Sequence, residues 1–167
     1  MDELSNAVDV SLSGEAAEAA VAAAVAQIRA WGLTMPAVEP LPFDFGLGRF
    51  REVGEVEFWI ANEVDAGYCG KFLFVFDGQT CPLHHHGEKH ETFYIVKGRV
   101  RMLWRDRELD LREGDVLPVA PGERHAFTGV GPALVLEVSK PCVIDDNYFA
   151  DPCIPIGRNV RDPAETA

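Results

Sequence analysis

The sequence predicts a mainly antiparallel β domain, a sandwich or barrel, preceded by one α-helix. Three observations carry this. Beyond about Glu52, six short runs of branched and aromatic side chains succeed one another: VEFWIAN, KFLFVF, TFYIV, VRMLW, DVLPVA and ALVLEV. Gly, Pro and Asp interrupt them at close intervals, the pattern of short strands joined by tight turns. The main stretch with helical spacing lies ahead of all of them, so strands and helix are segregated and do not alternate.

Each element follows from local chemistry. From Gly14 to Trp31 alanine dominates, and Val21, Val25 and Ile28 recur at helical spacing, giving one apolar stripe. Gly32 is placed to cap the C-terminus, and Pro36 prevents continuation. The proline-rich piece MPAVEPLPFDFGLG reads as a linker or extended arm. Residues 1–42 are thus expected to form a helix and arm, residues 43–160 the β domain, and residues 161–167 a frayed tail. Lys97-Gly98 and Arg105-Asp106 each sit between two strand-like runs and are expected to be hairpin turns.

Composition limits the function. The chain has 167 residues, 47% apolar and 25% charged, enough for one domain with a sizeable core. Fifteen Lys and Arg against 27 Asp and Glu give a net charge of -12, which disfavours nucleic acid and anionic membranes as partners. No Lys or Arg precedes Arg29, so the N-terminus lacks the basic region of a secretory signal. The alanine run carries Glu15 and Glu18 and is too weakly apolar to span a bilayer. Cys69, Cys81, Cys142 and Cys153 form no C-x-x-C pair, so free thiols in a cytoplasmic setting are expected.

Four of the five histidines, His84, His85, His86 and His90, fall within seven residues; the fifth is His125. On a strand, His84 and His86 project to one side and His85 to the other, so the first two form a clamp for a divalent transition metal. Glu91, opening the run TFYIV, offers a carboxylate, with Glu88 as the alternative, and His125 after Pro121-Gly122 offers a further imidazole. Three imidazoles and one carboxylate suit Mn, Fe, Co, Ni or Zn better than Ca or Mg. His85 and His90 read as bystanders.

The order of these residues resembles a known pattern. Gly78, five residues, His84-x-His86, four residues, Glu91, six residues and Gly98 match the first motif of the cupin family. The segment from Gly114 through Pro121-Gly122 to His125 is similar to the second, with Ala120 where proline is usual and Gly129 where asparagine is often found. This resemblance implies a jelly-roll β-barrel with a metal inside. The stretch YCGKFLFVFDGQTCPLHHHGEKHETF resembles more narrowly the D-lyxose ketol-isomerase family, through Lys71, Gly78-Gln79, Pro82, His84, His86, Lys89 and Glu91. FDFGLGRFREVG upstream and LEVSKPCVIDDNYFADPCIPIG downstream extend the similarity from about Phe43 to Gly157, although the connection between the two motifs is short.

That resemblance implies an aldose–ketose isomerase acting on D-lyxose and D-xylulose, with D-mannose and D-fructose as a second pair and Mn as the metal. It implies His84, His86, Glu91 and His125 as metal ligands. The proton transfer needs a base, and Glu137, Lys71 and Lys89 are the candidates. Lys71 shares the parity of Leu73 and Val75, opposite the phenylalanines, so it points into the barrel, where burial is expected to lower its pKa. Lys71, Lys89 and Asp146 are the candidate substrate-binding residues, with Asp146 also readable as a turn residue. Trp104 and Phe127 are candidates for an apolar wall and equally for core. A cupin Fe(II) dioxygenase and a non-enzymatic sugar- or metal-binding cupin are the alternatives. A homodimer is expected, with the arm from Met35 to Phe45 free to exchange.

Overall fold

The computed structural model describes residues 10–159. The expected tail at residues 161–167 and the first nine residues of the arm region lie outside the described residues. Among the described residues, one helix, α1 (Gly14–Ala30), precedes twelve strands: β1 (Leu41–Phe43), β2 (Glu55–Glu63), β3 (Tyr68–Val75), β4 (Thr80–His86), β5 (Glu91–Lys97), β6 (Arg99–Trp104), β7 (Arg107–Arg112), β8 (Val116–Val119), β9 (His125–Gly129), β10 (Ala133–Ser139), β11 (Asn147–Phe149) and β12 (Arg158–Asn159). All six predicted runs are strands. A 3-10 turn at Ile144–Asp146 leads into β11.

The strands form two six-stranded sheets, ordered β1-β2-β3-β10-β5-β8 and β12-β11-β4-β9-β6-β7. Neither sheet closes on itself, and this corrects the expectation of a jelly-roll barrel. The fold is a mostly β, two-sheet cupin-like sandwich with one N-terminal helix. Among the described residues, β1 and β8 remain edges of one sheet and β12 and β7 edges of the other. The space between is filled by inward side chains such as Leu73, Phe93, Ile95, Met102, Phe127 and Val135.

The second correction concerns Gly98. It is not a hairpin turn, because β5 and β6 lie in different sheets. The chain steps between the layers there with φ +79, and a Cβ would meet the Pro132 carbonyl oxygen at 2.3 Å. Only glycine fits that crossing. Arg105-Asp106 does form the expected two-residue hairpin: Trp104 pairs with Arg107, and both turn residues have positive φ, 49 and 60.

Helix α1 covers the outer face of the first sheet. Ala20, Ala24 and Ile28 are its buried residues, packed with Phe50, Phe58, Phe74 and Leu134, while Val21 and Val25 flank the contact. The contact stripe is therefore one residue off the expected valine stripe, since alanine lets the helix approach the phenylalanines closely. Gly32 ends the helix with φ +73, its N–H donating to Arg29 O and the Leu33 N–H to Ile28 O. No helix among the described residues is long and apolar enough to cross a membrane. The inner end of the arm is β1, paired with β2 of its own chain.

Candidate metal centre and active site

The histidines are aimed by an irregularity in β4. Cys81 pairs with Phe127 and His84 with His125, so β4 carries one more residue than β9 between these pairs. This bulge falls at Pro82-Leu83, where a strand tolerates a residue without an N–H, and it re-aims the strand so that Cys81, His84 and His86 all line one cavity. Glu91 enters from β5 of the opposite sheet. His84, His86, Glu91 and His125 each bring one ligand atom, all within 4.8 Å of one another.

The hydrogen bonding of the cluster is that of ligands held ready for a cation. His84 Nδ1 donates to Pro82 O at 2.8 Å, His125 Nδ1 to Glu123 O at 3.0 Å and His86 Nδ1 to Asp146 O at 3.3 Å. A carbonyl only accepts, so each ring keeps its proton on Nδ1 and turns the bare Nε2 inward. Glu91 Oε1 lies 2.7 Å from His125 Nε2 and 3.4 Å from His86 Nε2, yet these three buried atoms make no hydrogen bond. Lone pairs and a carboxylate facing one another in a buried site require a cation between them. Burial, with His125 and His86 alongside, pushes the His84 imidazole well below its ordinary range, so it too is an available lone pair. The donor set of three nitrogens and one oxygen fits a divalent transition metal.

His85 faces away and stacks on Tyr148, with ring centroids 4.8 Å apart. His90 and Glu88 are exposed. No cysteine joins the cluster, and all four are free thiols.

Beside the cluster runs a buried chain of alternating charge. Lys89 Nζ lies 2.8 Å from Glu91 Oε2 and 2.5 Å from Glu137 Oε1. Lys71 Nζ lies 3.7 Å from Glu137 Oε2 and 2.6 Å from Glu57 Oε1. Register explains the grouping: Glu137 on β10 is flanked by Lys71 on β3 and Phe93 on β5, and the next inward pair is Ser139 and Glu91.

Lys71 points inward as its parity predicts, but the expected lowering of its pKa is corrected. Burial alone would lower it, and Glu137 and Glu57 outweigh burial and hold it well above the ordinary lysine range. Lys89 is raised in the same way by Glu137 and Glu91. Conversely, burial would raise Glu137, and Lys71 and Lys89 hold it below the ordinary carboxylate range. Glu91 is also held well below that range, chiefly because the Lys89 ammonium overcomes its burial. Both lysines are ammonium and both glutamates are ionised.

Asp146, the remaining candidate substrate-binding residue, lies outside the residues that line this cavity and fits its reading as a turn residue. Its Oδ1 accepts from the Gly87 and Glu88 N–H groups at 2.9 and 3.0 Å, and its Oδ2 from the Lys89 N–H at 2.9 Å. It clamps the loop that delivers Lys89 and Glu91. Phe127 lines the cavity, whereas Trp104 is not among the lining residues and donates to Glu123 Oε2 with the Arg105 guanidinium over its ring.

Glu55, Glu57 and Trp59 on β2 are cavity residues that escaped sequence reasoning. The available signal was the i, i+2, i+4 spacing of two acids and an aromatic in EVEFW, where Glu55 immediately precedes the run VEFWIAN. Burial, together with the neighbouring Glu57 charge, pushes the Glu55 carboxyl well above its ordinary value.

Comparisons with known proteins agree with this geometry. The cupin domain family model matches residues 72–139, which span β3 to β10 and all four cluster residues. The chain is 29% identical to the D-lyxose/D-mannose isomerase of Thermosediminibacter oceani, covering 66% of this chain and 76% of that protein. It is also 29% identical to the D-lyxose ketol-isomerase of a Thermofilum species, over 65% of this chain and 75% of the relative. Among solved structures, the L-ribose isomerase of Cellulomonas parahominis with L-ribose superposes with a TM-score of 0.70 at 18% identity, covering 90% of this chain and 97% of that one. The L-ribose isomerase of Geodermatophilus obscurus gives a TM-score of 0.70 at 19% identity, over 87% and 95% of the two chains. The chain thus has a cupin-like fold, carries three histidines and one glutamate grouped so that they could hold a metal ion, and is similar in sequence to D-lyxose isomerases over about two thirds of its length.

Proposed function

We propose that this chain is a metal-dependent aldose–ketose isomerase interconverting D-lyxose and D-xylulose, with D-mannose and D-fructose as a second pair and Mn(II) as its ion. One observation carries the reading: His84, His86 and Glu91 of the metal cluster line the same cavity as Glu137, and Lys89 joins Glu91 to Glu137. The D-lyxose isomerases among its relatives support the choice of sugar.

The reaction moves one proton from C2 of the aldose to C1 and one from O2 to O1, so it consumes no co-reactant. His84, His86, Glu91 and His125 would hold the ion, which supplies Lewis acidity at the sugar oxygens and so acidifies the C2 hydrogen. Glu137 accepts that proton and delivers a proton to C1. Its ionisation is secured by Lys71 and Lys89, at the expense of some basicity. The two ammonium groups cannot act as bases in this state; they donate hydrogen bonds to sugar hydroxyls and steady charge that develops there. Phe45, Phe93, Phe127 and Phe149 wall the cavity and keep bulk water from the reacting carbons.

The test is a paired assay of metal and turnover. Chelator-stripped protein should be inactive, and restored Mn(II) should return conversion of D-lyxose to D-xylulose. Glu137→Gln should keep its metal and lose about 100-fold or more in kcat. A fully active Glu137→Gln, or oxygen uptake in place of ketose, contradicts the proposal.

A further inference from the structure

The cavity wall on β2 holds groups that the proposed proton transfer does not use. Glu57 Oε1 accepts from Lys71 Nζ at 2.6 Å, and Glu57 Oε2 accepts from Trp59 Nε1 at 2.7 Å. The Trp59 ring lies 4.7 Å from the same ammonium, and Trp59 is the register partner of Lys71 across β2 and β3. Together they form a socket for Lys71.

The consequence appears on Glu137. Its Oε1 is fully committed, 2.5 Å from Lys89 Nζ and 2.9 Å from the donating Ser139 Oγ. Its Oε2 has Lys71 at 3.7 Å, beyond hydrogen-bond reach. One carboxylate thus has an anchored oxygen and an open one, and the asymmetry arises because Lys71 sits closer to Glu57.

We propose that Glu57, itself fixed by Trp59, is a positioning residue that holds Lys71 off Glu137 and leaves Oε2 open to receive the substrate proton. The inference rests on the isomerase reading and assigns it a residue on a strand so far without a role. In the step itself the C2–H bond breaks, the proton goes to Oε2, its electron pair stays on the sugar, and Oε2, after exchange with solvent, delivers a proton to C1. Without the Glu57 charge, a buried ammonium has one strong acceptor left within reach and closes on Oε2. Both Glu137 oxygens are then held in charge-assisted hydrogen bonds, and neither is free for the sugar.

The test combines crystal structures with kinetics of Glu57→Gln, Lys71→Met and the double variant. In Glu57→Gln the Lys71 Nζ to Glu137 Oε2 separation should shorten to hydrogen-bond length. Its kcat on D-lyxose should fall about 100-fold, the scale of a misplaced catalytic group, while KM stays within about threefold. Because Glu57 acts through Lys71, adding Glu57→Gln to Lys71→Met should cost nothing further. Trp59→Phe keeps an aromatic face and removes the indole N–H, so it tests the same chain in the same direction if Glu57→Gln does not fold. An unchanged Nζ to Oε2 distance, or additive losses in the double variant, overturns the inference. A wild type that converts no aldose sinks the isomerase reading instead, and the Nζ to Oε2 distance then decides the positioning claim alone.

Discussion

Lys89→Met probes the joint between metal cluster and base. Methionine keeps a flexible apolar stem and removes the ammonium that lies 2.8 Å from Glu91 Oε2 and 2.5 Å from Glu137 Oε1. Both carboxylates are almost completely buried, at 1% and 3% exposure, so water cannot replace the lost charge. Removing one partner of a buried pair costs about 3–5 kcal/mol, and Ser139 and Lys71 still support Glu137, which places the loss near about 4 kcal/mol. With a urea slope of about 2 kcal/mol per molar, the unfolding midpoint of metal-free protein at pH 7 should fall by about 2 M. The pH dependence has a definite sign. Glu91 and Glu137 are held below their ordinary values, so the stability they contribute is present above about pH 4.3 and is lost as pH falls through the depressed values. In Lys89→Met that acid-side loss should begin at higher pH. A midpoint shift under about 0.3 M with an unchanged acid transition refutes the argument.

Three other outcomes follow from single residues. Asp146→Ala strips three N–H acceptors from residues 87–89, so amide exchange there should accelerate and global stability should fall by about 1–2 kcal/mol, with metal retained. Gly98→Ala forces a Cβ onto the Pro132 carbonyl at 2.3 Å in left-handed backbone, so a loss of about 3 kcal/mol or more should appear in urea unfolding. Glu55 is held protonated when folded, so its contribution is full below about pH 4.3 and drains away as pH rises towards its raised value. Glu55→Gln removes that drain, and thermal melts should show it more stable than wild type at pH 8, with the gap closed by pH 4.

The metal cluster was legible in the sequence because its spacing is local: His84-x-His86 defines a strand face, and Glu91 opens the next strand. Lys71 was legible for the same reason, since parity with Leu73 and Val75 fixes its side of β3. Its charge state was not. Burial alone predicts a lowered pKa, and the opposite result depends on Glu137 and Glu57, which arrive from distant strands through long-range register. Glu57 and Trp59 were missed because alternation gives parity without polarity. In β2 the apolar Val56 and Phe58 meet α1 on the outer face, while Glu55 and Glu57 face the interior, the reverse of an ordinary half-buried strand. Gly98 was misread because a Lys-Gly pair between two strands looks the same whether the chain folds back in one sheet or crosses to another.

The isotope content of the product tests the central claim most directly. Metal-restored protein is incubated with D-lyxose in deuterium oxide, and the D-xylulose formed is examined for deuterium at C1, with stripped protein as the control. The account predicts ketose only in the metal-restored sample, with solvent deuterium at C1, because Glu137 exchanges its proton with solvent between removal and return. Ketose that carries no deuterium at C1 would mean hydrogen passes directly between the carbons without Glu137. Absence of ketose with metal bound would contradict the isomerase assignment itself.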